Sequence, residues 1–424
     1  MIAFLQRINY KRLNNVLLLF FFLLLEYSYY VYITDVYGDM YRFDFDIYRY
    51  IISKLIFAFL LLLINRIKTD LLYVISLVFM MIMLVPNLVI YQFMEFNLLI
   101  IFYISFFILL LALAGQIRII HKYKLKLLPE DNSRKVIFLF ALALLMLVPY
   151  FLTFKLNVDF SVFNLDDAVY QKRADSIRLS GAYVGYTRDW LAKILLPIVL
   201  IFSLKERYHL ISIATVALML YLFLILAHKA MLFAPFIIIF LYFFKDAKHQ
   251  IAIMFLGVVS VVLLSRLLNA FFEISVFESL FVRRVFLIPA ILNDFFIDFF
   301  KGNPQYFSNS FLGSFIDYEY NIDIKYIIGR NYLGKAHISA NNGFIADGFV
   351  HLGYIGPIIF SIFVAGIFKL FDSLKINNRF NGIFILMAYV FLSTAFFTSF
   401  LSHGLAFLIL MSYLVLHDTK KTMQ

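Results

Sequence analysis

Arginine set beside aromatic rings is the recurring chemical feature of this sequence. Arg188 follows Tyr183 and Tyr186 and precedes Asp189 and Trp190, and the pair Arg283–Arg284 lies between Phe281 and Phe286. A planar guanidinium takes a phosphate through two parallel hydrogen bonds, and the contact strengthens where water is scarce. Arg178, Lys229 and Arg330 extend the set, along with Lys172, Arg173, Lys193, Arg266, Lys301, Lys325 and Lys335. Together they predict a pocket for an anionic lipid head group, such as a polyprenyl pyrophosphate. The plainer reading of each cation is neutralisation of a nearby acid or contact with lipid phosphates. Tyr186 and Trp190 beside charged donors suit the flat faces of sugars, and they equally suit an interfacial aromatic belt.

Three residues have the chemistry of a proton acceptor or its partner. His337, in the loop Gly334-Lys-Ala-His-Ile-Ser-Ala-Asn-Asn-Gly, has an imidazole able to take a proton from a sugar hydroxyl. Asp347 and His351 are four apart, so on a helix they share one face, where the carboxylate would orient the imidazole. The alternatives are a solvated loop histidine and a structural hydrogen bond. Asp35, Asp39, Asp44 and Asp46 alternate with Tyr37, Tyr41 and Tyr48. Carboxylate oxygens of this kind suit a divalent ion, but acids and tyrosines also mark an outer membrane surface. We take the second reading and assign no metal and no cofactor. The chain has no cysteine, which excludes disulfides and thiolate metal sites.

The elements that must position these groups are membrane helices. Of 424 residues, 63% are hydrophobic and 15% charged, with a mean hydropathy of +0.90. Soluble domains hold roughly 45–50% apolar and about 25% charged residues. Apolar runs predict an all-α fold with about twelve spans, at 14–34, 49–65, 71–88, 97–116, 136–154, 190–204, 209–227, 230–244, 251–268, 346–370, 381–397 and 402–417. The first run follows Arg7, Lys11 and Arg12 but lacks a small-residue cleavage site, so it reads as a retained helix rather than a signal peptide. Glu26 within it is expected to face other helices.

Lys and Arg bias sets the orientation. With the N-terminus inside, the inner segments hold 20 of the 37 Lys and Arg against 7 of the 26 acids, which puts both termini in the cytoplasm. The basic pI of about 9.4 therefore reflects membrane topology and does not call for nucleic acid. The whole chain, 1–424, reads as a single integral membrane domain with two large outer segments, 155–189 and 269–345. Both carry aromatic and apolar residues, so both are expected to be ordered, and the amphipathic piece 281–300 is expected along the membrane surface.

Three stretches resemble bacterial O-antigen and capsule repeat-unit polymerases of the Wzy type. Ser180-Gly-Ala-Tyr-Val-Gly-Tyr-Thr-Arg-Asp-Trp-Leu, running on to Pro197, looks like the start of a mid-chain span in that family. Arg283-Arg-Val-Phe-Leu-Ile-Pro-Ala resembles its arginine-plus-proline segment. Asn341-Asn-Gly-Phe-Ile-Ala-Asp-Gly-Phe-Val-His-Leu-Gly-Tyr-Ile-Gly resembles the end of its second large loop, with Gly353 and Gly356 as closing glycines. The resemblance implies a GT-C-like protein of the bacterial inner membrane. It would join repeat units carried on undecaprenyl pyrophosphate into O-antigen or capsular polysaccharide, without a metal. Its partners would be the lipid-linked oligosaccharide, membrane lipids and a chain-length regulator. Arg283 or Arg284 would hold the donor pyrophosphate with help from Arg188.

Related O-antigen ligases place a catalytic His-Asn ahead of the closing glycines. Here Asn341 and Asn342 occupy that place, where they would meet the sugar, and His337 lies a few residues earlier. The alternatives to a polymerase are a ligase, a metal-using lipid-linked glycosyltransferase, and a polysaccharide flippase or other transporter. A transporter tends to show paired halves, and none is visible in this chain.

Overall fold

The computed structural model describes residues 9–119, 131–155, 158–164, 172, 175–176, 178–179, 181–310, 312–335 and 338–417, and only the backbone at 163–164 and 229–230. Among the described residues the long regular elements are all helices. In chain order they are α1 (Tyr10–Val36), α2 (Ile47–Ile64), α3 (Asp70–Phe93), α4 (Leu98–Ala114), α5 (Asn132–Phe154), α6 (182–205) and α7 (His209–Leu226). There follow α8 (Lys229–Tyr242), α9 (Ala247–Phe272), α10 (276–300), α11 (Ile324–Leu333), α12 (Phe344–Ser373), α13 (Asn381–Ser393) and α14 (Phe396–Leu416).

Eight of these, α1, α2, α3, α5, α7, α9, α12 and α14, are long and apolar enough to cross a membrane. The chain is a multi-pass membrane protein. In lipid a helix satisfies its own backbone, so an apolar run of this length has no competing fold. The remaining predicted spans fall on the shorter helices α4, α8 and α13 and on α6.

The chain forms two compact units. The first holds 1–119, 246–372 and 388–396; the second holds 120–245, 373–387 and 397–424. In the first unit α3 is the central helix, with its most apolar window entirely buried. That follows from a helix apolar on every side. By contrast α2, with 28% of its window buried, presents most of its surface outward. Glu26 of α1 pairs with Lys54 of α2, and Gln92 Nε2 of α3 donates to Glu26 Oε1 at 2.5 Å. The expected inward-facing acid thus has a partner on the next helix.

Within the long segment before α12 the described residues form helices α10 and α11, joined by turns and irregular chain over 301–310 and 312–323. Its core is Phe296 and Phe300 of α10, Ile324 and Ile328 of α11, and Ala346 and Val350 of α12. The first long segment is helical from Ala182, so its last residues extend α6 rather than forming loop.

Prolines shape three of the helices. Val85 N donates to Met80 O, Leu196 N to Leu191 O and Ile288 N to Arg283 O, each a wide turn closed five residues back. Pro86, Pro197 and Pro289 follow within two residues of these donors. A proline has no N–H, and its ring crowds the carbonyl four residues earlier, so a wider preceding turn relieves both problems. Pro149 and Pro235 lie inside α5 and α8 without such a turn, so proline permits the widening rather than imposing it. Two of the wide turns carry predicted phosphate ligands or their neighbours: 191–195 holds Lys193, and 279–287 holds Arg283 and Arg284.

Candidate functional site

In the second unit α6 brings Arg188, Asp189 and Lys193 together at the start of its apolar run. Asp189 is 2% exposed. Its Oδ2 accepts from Arg188 Nη2 at 3.1 Å, and its Oδ1 lies 3.1 Å from Lys193 Nζ. Positions 189 and 193 are four apart, so Asp189 and Lys193 share one helix face.

His403 completes the group from a break in α14. The residues Ser402-His-Gly interrupt the last apolar run, and Gly404 takes φ +89° there. A Cβ on Gly404 would stand 2.6 Å from Ile194 Cδ1 and 3.1 Å from Trp190 Cδ1, so the position needs glycine for space as well as conformation. The break places His403 Nδ1 at 3.0 Å from Asp189 Oδ2 and 3.1 Å from Lys193 Nζ.

A second histidine enters from the turn between α7 and α8, where Ala227 is left-handed with φ +54°. His228 Nε2 lies 2.9 Å from Arg188 Nη1. A guanidinium only donates, so this nitrogen accepts and the His228 ring is neutral, with its proton on Nδ1.

The rest of the site frames this group. Trp190 Nε1 donates to Leu401 O at 2.8 Å, taking up a carbonyl freed by the α14 break, and its ring stacks on Phe407 at 5.2 Å and 8°. Thr187 Oγ1 meets Tyr150 Oη of α5 at 2.9 Å. Tyr183 Oη donates to Met146 O, and Tyr186 is exposed.

Two cations and one histidine therefore surround the Asp189 carboxylate, a second histidine stands against Arg188, and the Nε of Arg188 is buried with no hydrogen-bond partner. The group is positively charged overall and retains an unused guanidinium N–H. A carboxylate with three polar partners and cations left in excess suits an incoming anion.

The first unit divides its predicted residues between two places. Arg283 lies with its Cζ 4.0 Å from the Tyr37 ring centroid and its Nη2 3.2 Å from Ser279 Oγ; its Nε is buried and unpartnered. Tyr37 donates to Ser279 Oγ at 3.1 Å. Burial alone would push the Tyr37 hydroxyl up, but Ser279, Tyr32 and the Arg283 charge outweigh it and hold the hydroxyl below its ordinary value. Nearby, buried Glu278 pairs with Arg266 at 3.1 Å and accepts from Asn269 at 2.8 Å. Arg284 and Arg330 are exposed on α10 and α11.

Asp347 and His351 do meet on α12, with Nε2 of the histidine 3.6 Å from Oδ1 of the aspartate. Their other contacts are with backbone and amide. Asp347 Oδ2 accepts from Phe396 N at 2.8 Å, and Oδ1 accepts from Asn342 Nδ2 at 3.4 Å. His351 Nδ1 accepts from Phe307 N at 3.2 Å, and its ring stacks on Phe307 at 4.3 Å.

The helix breaks beside them at Gly353, φ +58°, and the backbones of Gly348 and Gly356 come so close that a Cβ on Gly356 would stand 1.8 Å from Gly348 O. The carbonyls of Val350 and His351 accept from Gln305 N at 2.8 Å and Tyr306 N at 3.1 Å. Asn341 is exposed, and its Oδ1 accepts from Ser339 Oγ at 3.0 Å.

Comparison of the chain with protein families, with curated proteins and with solved structures finds no match.

The remaining predicted residues stand apart from these groups. Arg178, in the second unit, is exposed and lies 4.0 Å from Asp175. Lys229 is the first residue of α8, immediately after His228. His337 lies outside the described residues. Of the acids predicted to lie outside, Asp44 pairs with Arg49 at 2.7 Å and Asp46 caps α2 through Arg49 N at 2.8 Å.

Sequence reasoning named Arg188, Asp189, Lys193 and Trp190 but passed over His228 and His403. Their signal was present in the chain: each interrupts an apolar run, beside Lys229 in one case and Gly404 in the other, and ionisable residues within such runs are rare and functional by default.

Proposed function

We propose that this protein is a metal-independent glycosyltransferase that polymerises oligosaccharide repeat units carried on undecaprenyl pyrophosphate, at the periplasmic face of a bacterial inner membrane. It would have about twelve spans and both termini in the cytoplasm. The observation that carries the reading is the buried group around Asp189. It combines excess cationic charge, an unused Arg188 N–H and an Asp–His pair within one membrane unit, next to aromatic rings. The resemblance of 180–191, 283–290 and 341–356 to Wzy-type polymerases supports the same substrate class.

The chemistry assigned to the group is a single displacement. The acceptor hydroxyl oxygen bonds to the anomeric carbon of the donor sugar, the bond from that carbon to the pyrophosphate oxygen breaks, and the lipid pyrophosphate leaves with the electron pair. Arg188 and Lys193 stabilise the charge that grows on the leaving group. His403, with Nδ1 held by Asp189, takes the acceptor proton at Nε2.

The test is a deletion strain complemented with variants, read on surface-glycan length. Deletion is expected to leave glycan capped at one repeat unit. Arg188→Ala, Lys193→Ala and His403→Ala, each inserted at wild-type level, are expected to cut polymerisation by about 100-fold or more. A normal polymer ladder in all three sinks the assignment. Deletion that leaves no attached glycan supports a ligase instead, and lipid-linked units trapped inside the cell support a flippase.

A further inference from the structure

The first unit contains a second place built for negative charge, at the end where the predicted cytoplasmic cations gather. A cavity of about 340 Å3 there is walled by Lys11, Arg66, Lys68, Arg118 and Lys248, with Asp70 the one carboxylate in its lining. The five cations come from four separate stretches of chain: the start of α1, the α2–α3 loop, the segment after α4 and the start of α9.

The wall is held in place from behind. Lys11 Nζ donates to Asn65 O at 2.9 Å. Lys68 N donates to Gly115 O at 3.1 Å, and Gly115 packs so tightly on Ile67 that a Cβ would stand 2.6 Å from Ile67 Cγ2. Asn14 Nδ2 donates to Tyr73 Oη at 3.2 Å and to Lys248 O at 3.3 Å, joining α1, α3 and α9.

Two further features favour an anion in this cavity. The helix α3, 24 residues long, begins at Asp70, and the side chain of its capping residue Thr69 makes no capping bond. The N-terminal end of α3 and its dipole therefore lie at the cavity, whose lining includes Thr69 and Asp70. Thr69 is 6% exposed, yet its Oγ1 is buried without a hydrogen-bond partner. A buried hydroxyl lacking a partner is costly, and a ligand oxygen would satisfy it.

We propose that this cavity binds a phosphate- or diphosphate-bearing anion, supplied either by an acidic lipid head group or by a soluble phosphorylated compound. The site is independent of the transfer reading and lies in the other unit from the Asp189 group. The cavity volume suits a diphosphate with part of its attached group.

The experiment uses the full chain, purified in detergent and stripped of lipid, with inorganic pyrophosphate and cardiolipin as probes. Lys68→Gln/Arg118→Gln is the site variant; both residues are exposed, so the fold should survive. Lys245→Gln/Lys375→Gln is the charge-matched control on the other unit. If the source is soluble, millimolar pyrophosphate raises the wild-type and control Tm by about 2–4 °C and leaves the site variant unmoved. If the source is lipid, native mass spectrometry shows cardiolipin retained by wild type and control and lost from the site variant. Binding of neither probe, or equal loss in both variants, overturns the proposal.

Discussion

Two buried aspartates, each beside a histidine, invite the same chemical reading and have opposite surroundings. Asp347 spends its oxygens on the Phe396 N–H and the Asn342 amide, and His351 spends one nitrogen on the Phe307 N–H. Asp189 is met by Arg188, Lys193 and His403, all side chains. A carboxylate satisfied by backbone fixes the chain where helices stop and start. One satisfied by charged side chains brings cations together around a single buried point, where an anion would meet them. The chemistry of a buried acid is therefore read from what completes it, more than from the residue four positions away.

The comparison is broken most severely by removing each acid. Asp189→Ala leaves Arg188 and Lys193 buried with no counter-charge, and breaking such a group by one partner costs about 3–5 kcal/mol. Size-exclusion profiles and thermal unfolding in detergent should show little folded protein. Asp347→Ala should lower stability by roughly 1–3 kcal/mol, the cost of stranding the Phe396 N–H. Under the proposed transferase reading, polymer formed per folded molecule should stay at the wild-type level, and a loss there would move Asp347 from scaffold to chemistry.

Gly404→Ala tests the positioning of His403. The left-handed backbone alone costs about 1–2 kcal/mol for a residue with a Cβ, and Ile194 must also give way. Under the same proposed reading, polymer length should fall more steeply than thermal stability.

Asp294 on α10 offers the gentlest probe. Burial, with help from Asp298 and Glu95, raises its carboxyl to about 6, against the opposing hydrogen bond from Asn97 N–H. The folded value lies above the unfolded one, so the fold favours the protonated acid. Stability from this group is present at low pH and is lost as pH rises from about 4 to about 6. Asp294→Asn should therefore be more stable than wild type above pH 6, with the gap closing toward pH 4. Thermal unfolding across that range measures it, and a gap that is the same at every pH rejects the shift.

Much of the scaffold was legible in the chain. Eight of the twelve predicted spans are helices long and apolar enough to cross a membrane, and helices lie at the other four, because apolar runs in lipid leave the backbone one way to satisfy itself. Glu26 was read as facing other helices, and it does, although Lys54 as its partner lies one span away and no local spacing could name it. The site was legible in part. Arg188 and Trp190 stood out as a charge and a ring side by side. His228 and His403 did not, because each is a single polar residue in an apolar run and hydropathy averages it away. What joins them to Arg188 and Asp189 respectively is tertiary: a left-handed turn at Ala227 and a broken helix at Gly404. The same limit applied to Asp347 and His351, whose spacing was read correctly while their backbone partners, 40 and more residues distant, were invisible.

Trp190 is the chain's one tryptophan, stacked on Phe407 with its indole N–H bonded to Leu401 O at the edge of the Asp189 group. The protein thus carries its own fluorophore at the place of interest. Emission excited at the indole band reports from a single known location, so titration with a lipid diphosphate can be followed in unlabelled protein without deconvolution.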